Sequence, residues 1–166
     1  MGTYINPGNE GFAQILRGEY VDKTGLALLV NRAIGTPQKL ICISRPRRFG
    51  KSYAAEMLSS YYSCGCDSRA LYEGLAISKD PSFEAHLNAY NVIRLDMTDI
   101  LQRGSDIPVT IDKLLRTEAA QLFPAVRQDG SLTDVLLDIV RVTGRQLLFV
   151  IDEWDAPIRE QDEQCT

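Results

Sequence analysis

The apolar positions of this chain follow two patterns: stripes at helical spacing, and short unbroken runs. They predict helices interrupted by buried strands. Phe12, Ile15 and Leu16 fall at helical spacing within residues 9–17 and stop at Gly18. Leu26, Leu29 and Val30 mark a second helix over residues 25–33, with Asp22 or Thr24 as its cap and Gly35-Thr36-Pro37 as its breaker. The run Leu40-Ile41-Cys42-Ile43 predicts a strand over residues 39–44, and Ala54, Met57, Leu58 and Tyr61 form the stripe of a helix reaching Tyr62. A loop over 63–68, a short amphipathic element over 70–77 and a helix around Phe83–Leu87 lead to a second strand, Asn91–Met97.

Residues 107–123 predict a long helix, opened near Asp106-Ile107-Pro108 and closed before Pro124. Ser131 and Asp134 resemble a capping box; their helix buries Leu132, Val135, Leu136, Ile139 and Val140 and ends at Gly144. The run Gln146-Leu147-Leu148-Phe149-Val150-Ile151 has the composition of a strand buried on both faces, and it ends in Asp152-Glu153. Strands separated by helices imply an α/β fold with a parallel sheet and right-handed crossovers. Three strands make a small sheet, and the chain stops about ten residues after Asp155, so a fold truncated at its C-terminus is expected.

Composition narrows the class without naming a chemistry. The 166 residues suit one domain, and 45% hydrophobic with 24% charged residues is ordinary for a soluble globular chain. A net charge of −4 provides no global basic field for nucleic acid. No segment has the length of a membrane span, and the N-terminus lacks the basic-then-apolar order of a signal peptide, so a cytoplasmic protein is expected. Cys42 is expected to be buried in its strand, and Cys64 and Cys66 to be exposed reduced thiols rather than a metal pair. Cys165 falls in a polar tail, and His86 is expected on the surface.

The chemistry is concentrated in two places. Arg45-Pro46-Arg47-Arg48-Phe49-Gly50-Lys51-Ser52 lies between the predicted strand and helix, the context of a phosphate-cradling loop. Gly50 permits the turn beside Lys51, Lys51 supplies a point charge for β- and γ-phosphates, and the Ser52 hydroxyl suits Mg²⁺. Arg45 occupies the place of the first glycine of the usual loop; with Arg47 and Arg48 it rings the loop with guanidiniums. The second place is the acidic end of the last strand. Ligands bind outside the carboxyl ends of parallel strands, so Asp152 suits a Mg²⁺ shell and Glu153 suits activation of a water. Asp96 ends its own strand at the same edge, as a loop cap or as a group near metal-bound water.

The segments Tyr20-Val21-Asp22-Lys23-Thr24, Arg45 to Ser52, Leu71-Tyr72-Glu73-Gly74-Leu75, Val92-Ile93-Arg94-Leu95-Asp96 and Ile151-Asp152-Glu153-Trp154-Asp155-Ala156-Pro157-Ile158 occur in this order across most of the chain. In them the chain resembles the AAA-ATPase-like family of prokaryotic P-loop proteins, whose members often carry a C-terminal restriction-endonuclease-like domain. Arg45 is that family's usual variant, and Trp154 stands where the family more often has Tyr. The resemblance implies a three-layer P-loop fold with a parallel sheet. It implies a helical segment over 1–37 and a partial nucleotide-binding core over 38–166. ATP would be held through Arg47, Arg48, Phe49, Gly50, Lys51 and Ser52, and Mg²⁺ through Ser52 and Asp152. Glu153 would be the catalytic base, with Lys51 assisting catalysis. The family's later strands, polar sensor residue and C-terminal domain have no counterpart here, which bears on hydrolysis more than on binding.

The expected function is therefore an ATP-binding module with Mg²⁺-dependent hydrolysis. The alternatives are a P-loop kinase, or a non-hydrolysing module whose nucleotide orders a surface for a protein partner or a second copy. Nucleic acid is the weaker partner, because only the Arg45–Lys51 cluster favours it.

Overall fold

The computed structural model describes residues 1–44 and 50–159. Its sheet, among the described residues, is a parallel pair, β1 (Asn91–Asp96) and β2 (Leu147–Asp152). Asn91 lies opposite Leu147, and the register runs without a bulge to Asp96 opposite Asp152. Helices α1 (Glu10–Leu16), α2 (Gly25–Ala33), α3 (Lys51–Tyr62), α4 (Arg69–Tyr72) and α5 (Phe83–His86) precede β1. Helices α6 (Met97–Arg103), α7 (Ile107–Leu122) and α8 (Leu132–Thr143) connect it to β2. The result is a mixed α/β arrangement around a small parallel sheet, as the alternation of elements predicts.

Side chains of a strand alternate between faces, so each strand feeds two cores. Ile93 and Leu95 enter a cluster with Ile100 of α6, Leu115 and Ala119 of α7, and Val135 and Ile139 of α8. Val92 and Val150 enter a second cluster with Phe12 of α1, Ala27 of α2 and Met57, Leu58, Tyr61 and Tyr62 of α3. The N-terminal helices thus share the core that seats α3. Rings dominate there: Tyr61 stands edge-on to Tyr62 and Tyr72, with centroids 4.7 and 5.3 Å away. Each phenol has an acceptor. Tyr61 donates to the Phe83 carbonyl at 2.9 Å, Tyr62 to Asn31 Oδ1 at 2.6 Å and Tyr72 to the Met57 carbonyl at 2.5 Å. Burial pushes Tyr61 up to about 12 and Tyr62 and Tyr72 higher, so all three remain hydroxyl donors near neutral pH. Truncating such a ring to Ala costs about 3–5 kcal/mol, which holds α3 as a rigid base for its first turn.

Several expectations are corrected. Residues 39–44 form no strand: Leu40 is 91% exposed, Ile41 and Ile43 are exposed, and Cys42 is exposed rather than buried. Four apolar residues do not make a strand unless their backbone finds a ladder partner, and β2 is paired only to β1 among the described residues. Phe149 and Ile151, both 49% exposed, are correspondingly left on a partly uncovered face of β2. In α2, Ala27 and Asn31 are buried while Leu29 is exposed. Neither Asp22 nor Thr24 makes a side-chain cap on that helix.

Helix α6 was not expected. Asp96 Oδ1 accepts the Thr98 and Asp99 N–H groups at 2.9 and 3.3 Å, and Met97 and Ile100 then point into the core. His86 is half-buried rather than a surface residue: Nδ1 lies 2.6 Å from the Tyr90 hydroxyl, and desolvation lowers its pKa. Cys64 and Cys66 are also half-buried, and burial raises both thiols. The expectations for α7 and α8 hold. Asp106 accepts the Val109 N–H at 3.1 Å, and Ser131 with Asp134 forms a reciprocal capping box. Gly144 closes α8 in the left-handed conformation, φ 67°.

Candidate functional site

A cleft of about 630 Å³ opens beside the first turn of α3. Its walls are Gly50, Lys51, Ser52, Tyr53, Thr98, Glu153 and Arg159. The glycine-lysine-serine sequence and the acid after β2 therefore meet in space, although about a hundred residues separate them. The Arg47, Arg48 and Phe49 positions expected to hold nucleotide lie outside the described residues, as does Arg45.

Gly50 is the N-cap of α3, with φ 73° and ψ 35°, a left-handed conformation that a Cβ would strain. It offers no side-chain acceptor to the helix, and the first turn of α3 contains no acid. The first N–H groups of a helix are unsatisfied donors at the positive end of its dipole. Here a cation, Lys51, is the first helical residue. An isolated helix would favour a carboxylate or hydroxyl at this end, so the arrangement suits an anion from outside the helix. A second ammonium stands nearby: a Cβ built on Gly50 would collide with Lys23 Nζ.

Lys23 arrives there through its own segment. Asp22 Oδ1 accepts from Thr24 N at 2.8 Å and from Thr24 Oγ1 at 2.6 Å, while Asp22 Oδ2 accepts from Ala76 N at 2.8 Å. The buried Thr24 hydroxyl accepts from Ile77 N at 3.2 Å. Burial pushes the Asp22 carboxyl up, but these hydrogen bonds outweigh it and hold the carboxyl below its ordinary value. The start of α2 is thereby stapled to the 3-10 turn Ala76–Lys79. The Tyr-Val-Asp-Lys-Thr segment is thus a brace that delivers a lysine to the glycine. Its motif was visible in the sequence, but its destination was not.

The opposite wall follows β2. Asp152 is the last strand residue; it is buried, and its Oδ1 accepts the Glu153 N–H at 3.0 Å. Glu153 leaves the strand with φ 50°, a left-handed backbone uncommon outside glycine. Its Oε2 lies 2.7 Å from Arg159 Nη2, and Arg159 Nε lies 3.5 Å from Asp155 Oδ2. Arg159 was not anticipated, although its i,i+4 spacing from Asp155 was a readable signal. Thr98 had no signal, because the helix that presents it was not expected. Asp96 serves as the cap of α6.

Of the two residues expected to hold Mg²⁺, Ser52 lines the cleft, while Asp152 is buried at the end of β2 and is not among the lining residues; a hydroxyl and a carboxylate are hard oxygen donors of the kind Mg²⁺ takes. Helix α3 is fixed to the sheet as well as to its aromatic base: Glu56 Oε1 receives Arg94 Nη1 of β1 at 2.6 Å, with both side chains about three-quarters buried. The cleft thus combines uncapped helix donors, an ammonium, a guanidinium and the Glu153 carboxylate on a rigid frame. No helix among the described residues is long and apolar enough to cross a membrane.

Comparison with known proteins extends the same picture along the chain. The family profile described as Predicted AAA-ATPase matches residues 8–165. Among curated proteins, the "Uncharacterized protein in vnfD 5'region" of Azotobacter chroococcum mcd 1 is similar, 28% identical over 158 residues. That alignment covers 91% of this chain and 29% of the relative, so the chain spans less than a third of that protein's length. No solved structure matches.

Proposed function

The chain belongs to the predicted AAA-ATPase family, and on that premise we propose that it binds ATP in the cleft at the first turn of α3 and hydrolyses it with Mg²⁺. The observation that carries this reading is the convergence of Gly50, Lys51, Ser52 and Glu153 on one cleft. Lys51 and the N–H groups of the first turn bind the β- and γ-phosphates, and Arg47, Arg48 and Phe49, outside the described residues, are further nucleotide-binding residues in this reading. Ser52 and Asp152 hold Mg²⁺, which neutralises phosphate charge when bound. Glu153 orients and deprotonates the attacking water, and Lys51 stabilises charge on the transferred group. The fold that serves this chemistry is a three-layer P-loop fold, with residues 1–37 as a helical segment packed on the core formed by 38–166. The helices on both faces of the β1–β2 pair support that reading.

The test uses Trp154, the chain's only tryptophan, which is 54% exposed and adjoins Glu153. Titration with ATP and Mg²⁺ should change its fluorescence saturably, with calorimetry giving the same Kd. Lys51→Ala should abolish both signals while retaining the wild-type circular dichroism spectrum. Glu153→Gln should retain binding and lose turnover. Saturable binding that is indifferent to Lys51→Ala would overturn the assignment of the site.

A further inference from the structure

The Glu153 side chain proposed to activate water is already engaged. Arg159 holds it at 2.7 Å and reaches Asp155 at 3.5 Å, and Arg159 lines the same cleft as Gly50, Lys51 and Ser52. A guanidinium is a planar fork with five donors, able to grip a carboxylate or a phosphate but not to satisfy several such groups fully at once. Side-chain exposures of 32% for Arg159 and 27% for Glu153 leave the pair reachable from the cleft while partly shielding it from water. The left-handed backbone of Glu153 turns the chain from β2 so that Glu153, Asp155 and Arg159 gather at one place.

We propose that Arg159 is a positioning residue whose guanidinium is exchanged between the Glu153 and Asp155 carboxylates and the terminal phosphate of a bound nucleoside triphosphate. The proposal rests on the nucleotide reading of the cleft and adds a discriminator to it. A triphosphate presents its γ-phosphate as a competitor for the guanidinium; a diphosphate does not. When Arg159 turns to the phosphate, the Glu153 carboxylate is released to accept a proton from water. Ion pairing thus couples arrival of the substrate to readiness of the base, and the coupling is reciprocal because phosphate and carboxylate compete for one cation.

The experiment measures calorimetric Kd values for Mg-ATP and Mg-ADP with the 166-residue chain. The proteins are wild type, Arg159→Ala, Arg159→Lys, Glu153→Gln, the double variant Glu153→Gln/Arg159→Ala, and Lys51→Ala, each first checked by circular dichroism. Arg159→Ala should weaken Mg-ATP about fivefold and leave Mg-ADP unchanged, so the ATP-to-ADP preference falls. Glu153→Gln frees the guanidinium and should tighten Mg-ATP by a similar factor, and that gain should vanish in the double variant. Arg159→Lys keeps the charge without the fork and should recover part of the loss. An unchanged ATP-to-ADP preference in folded Arg159→Ala, or a Glu153→Gln gain that survives without Arg159, overturns the proposal while Lys51-dependent binding still stands. Absence of Lys51-dependent binding overturns both readings. If Arg159→Ala does not fold, Glu153→Gln and Arg159→Lys decide: no change in Mg-ATP affinity for either variant overturns the proposal.

Discussion

Asp96 and Asp152 face each other as the last residue pair of the parallel ladder, yet their side chains serve different ends. Asp96 turns into the backbone of α6, where it accepts two N–H groups. Asp152 is buried, directly precedes the cleft-lining Glu153 in the chain and accepts the Glu153 N–H. The sequence suggests a Mg²⁺ role for Asp152 and leaves Asp96 between a loop cap and a group near metal-bound water; the structure makes Asp96 the cap of α6. Asp96→Ala should therefore lower stability by about 1 kcal/mol through loss of the cap and leave Mg-ATP affinity unchanged. Asp152→Asn should instead remove the magnesium dependence of ATP binding. Denaturant unfolding and calorimetry with and without Mg²⁺ separate these outcomes, and reversed phenotypes would overturn the division of roles.

Gly50 is constrained by its left-handed backbone; a Cβ there would also meet Lys23 Nζ, the end of a flexible side chain that can move aside at little cost. Gly50→Ala should cost about 1 kcal/mol or more in stability. Adding Lys23→Ala should recover little of this, because the flexible Lys23 end can shift and the backbone strain remains. Thermal melts of the single and double variants measure the two contributions. Full recovery in the double variant would mean that the backbone conformation carries no cost.

The Glu56–Arg94 pair joins α3 to β1. Removing either partner leaves a partly buried charge, so Glu56→Ala and Arg94→Ala should each lose about 1–3 kcal/mol. The double variant should lose less than the sum of the two. Chemical denaturation of the four proteins gives the coupling energy, and strict additivity would show that the pair contributes nothing.

Asp22 supplies a pH signature. Its folded carboxyl titrates below the unfolded value because hydrogen bonds from Thr24 and Ala76 outweigh the opposing effect of burial. The folded state therefore releases its proton more readily than the unfolded state. The resulting stabilisation is present above the ordinary aspartate value of about 4 and is lost as pH falls through the lower folded value. Asp22→Asn should flatten that part of the stability curve. Melting temperatures from pH 7 down to pH 3 test this, and an unchanged acid slope in the variant would count against Asp22 as its source.

Local signals were sufficient where the physics is local. Helical stripes other than that of α2, the capping box at Ser131, the stop at Gly144 and the apolar run into Asp152 each depend on neighbours a few residues away, and the structure has them at those positions. The glycine-lysine-serine sequence and the acid at the strand end were readable for the same reason. Pairing and convergence were not. Whether residues 39–44 become a strand depends on a ladder partner that their own composition cannot supply, and among the described residues they have none. Helix α6 turned on one carboxylate folding back onto its own chain rather than outward. Lys23, Thr98 and Arg159 come to the start of α3 from three separate segments. Their positions follow from how the two cores seat the helices against the sheet, a long-range packing outcome that leaves no local period in the chain.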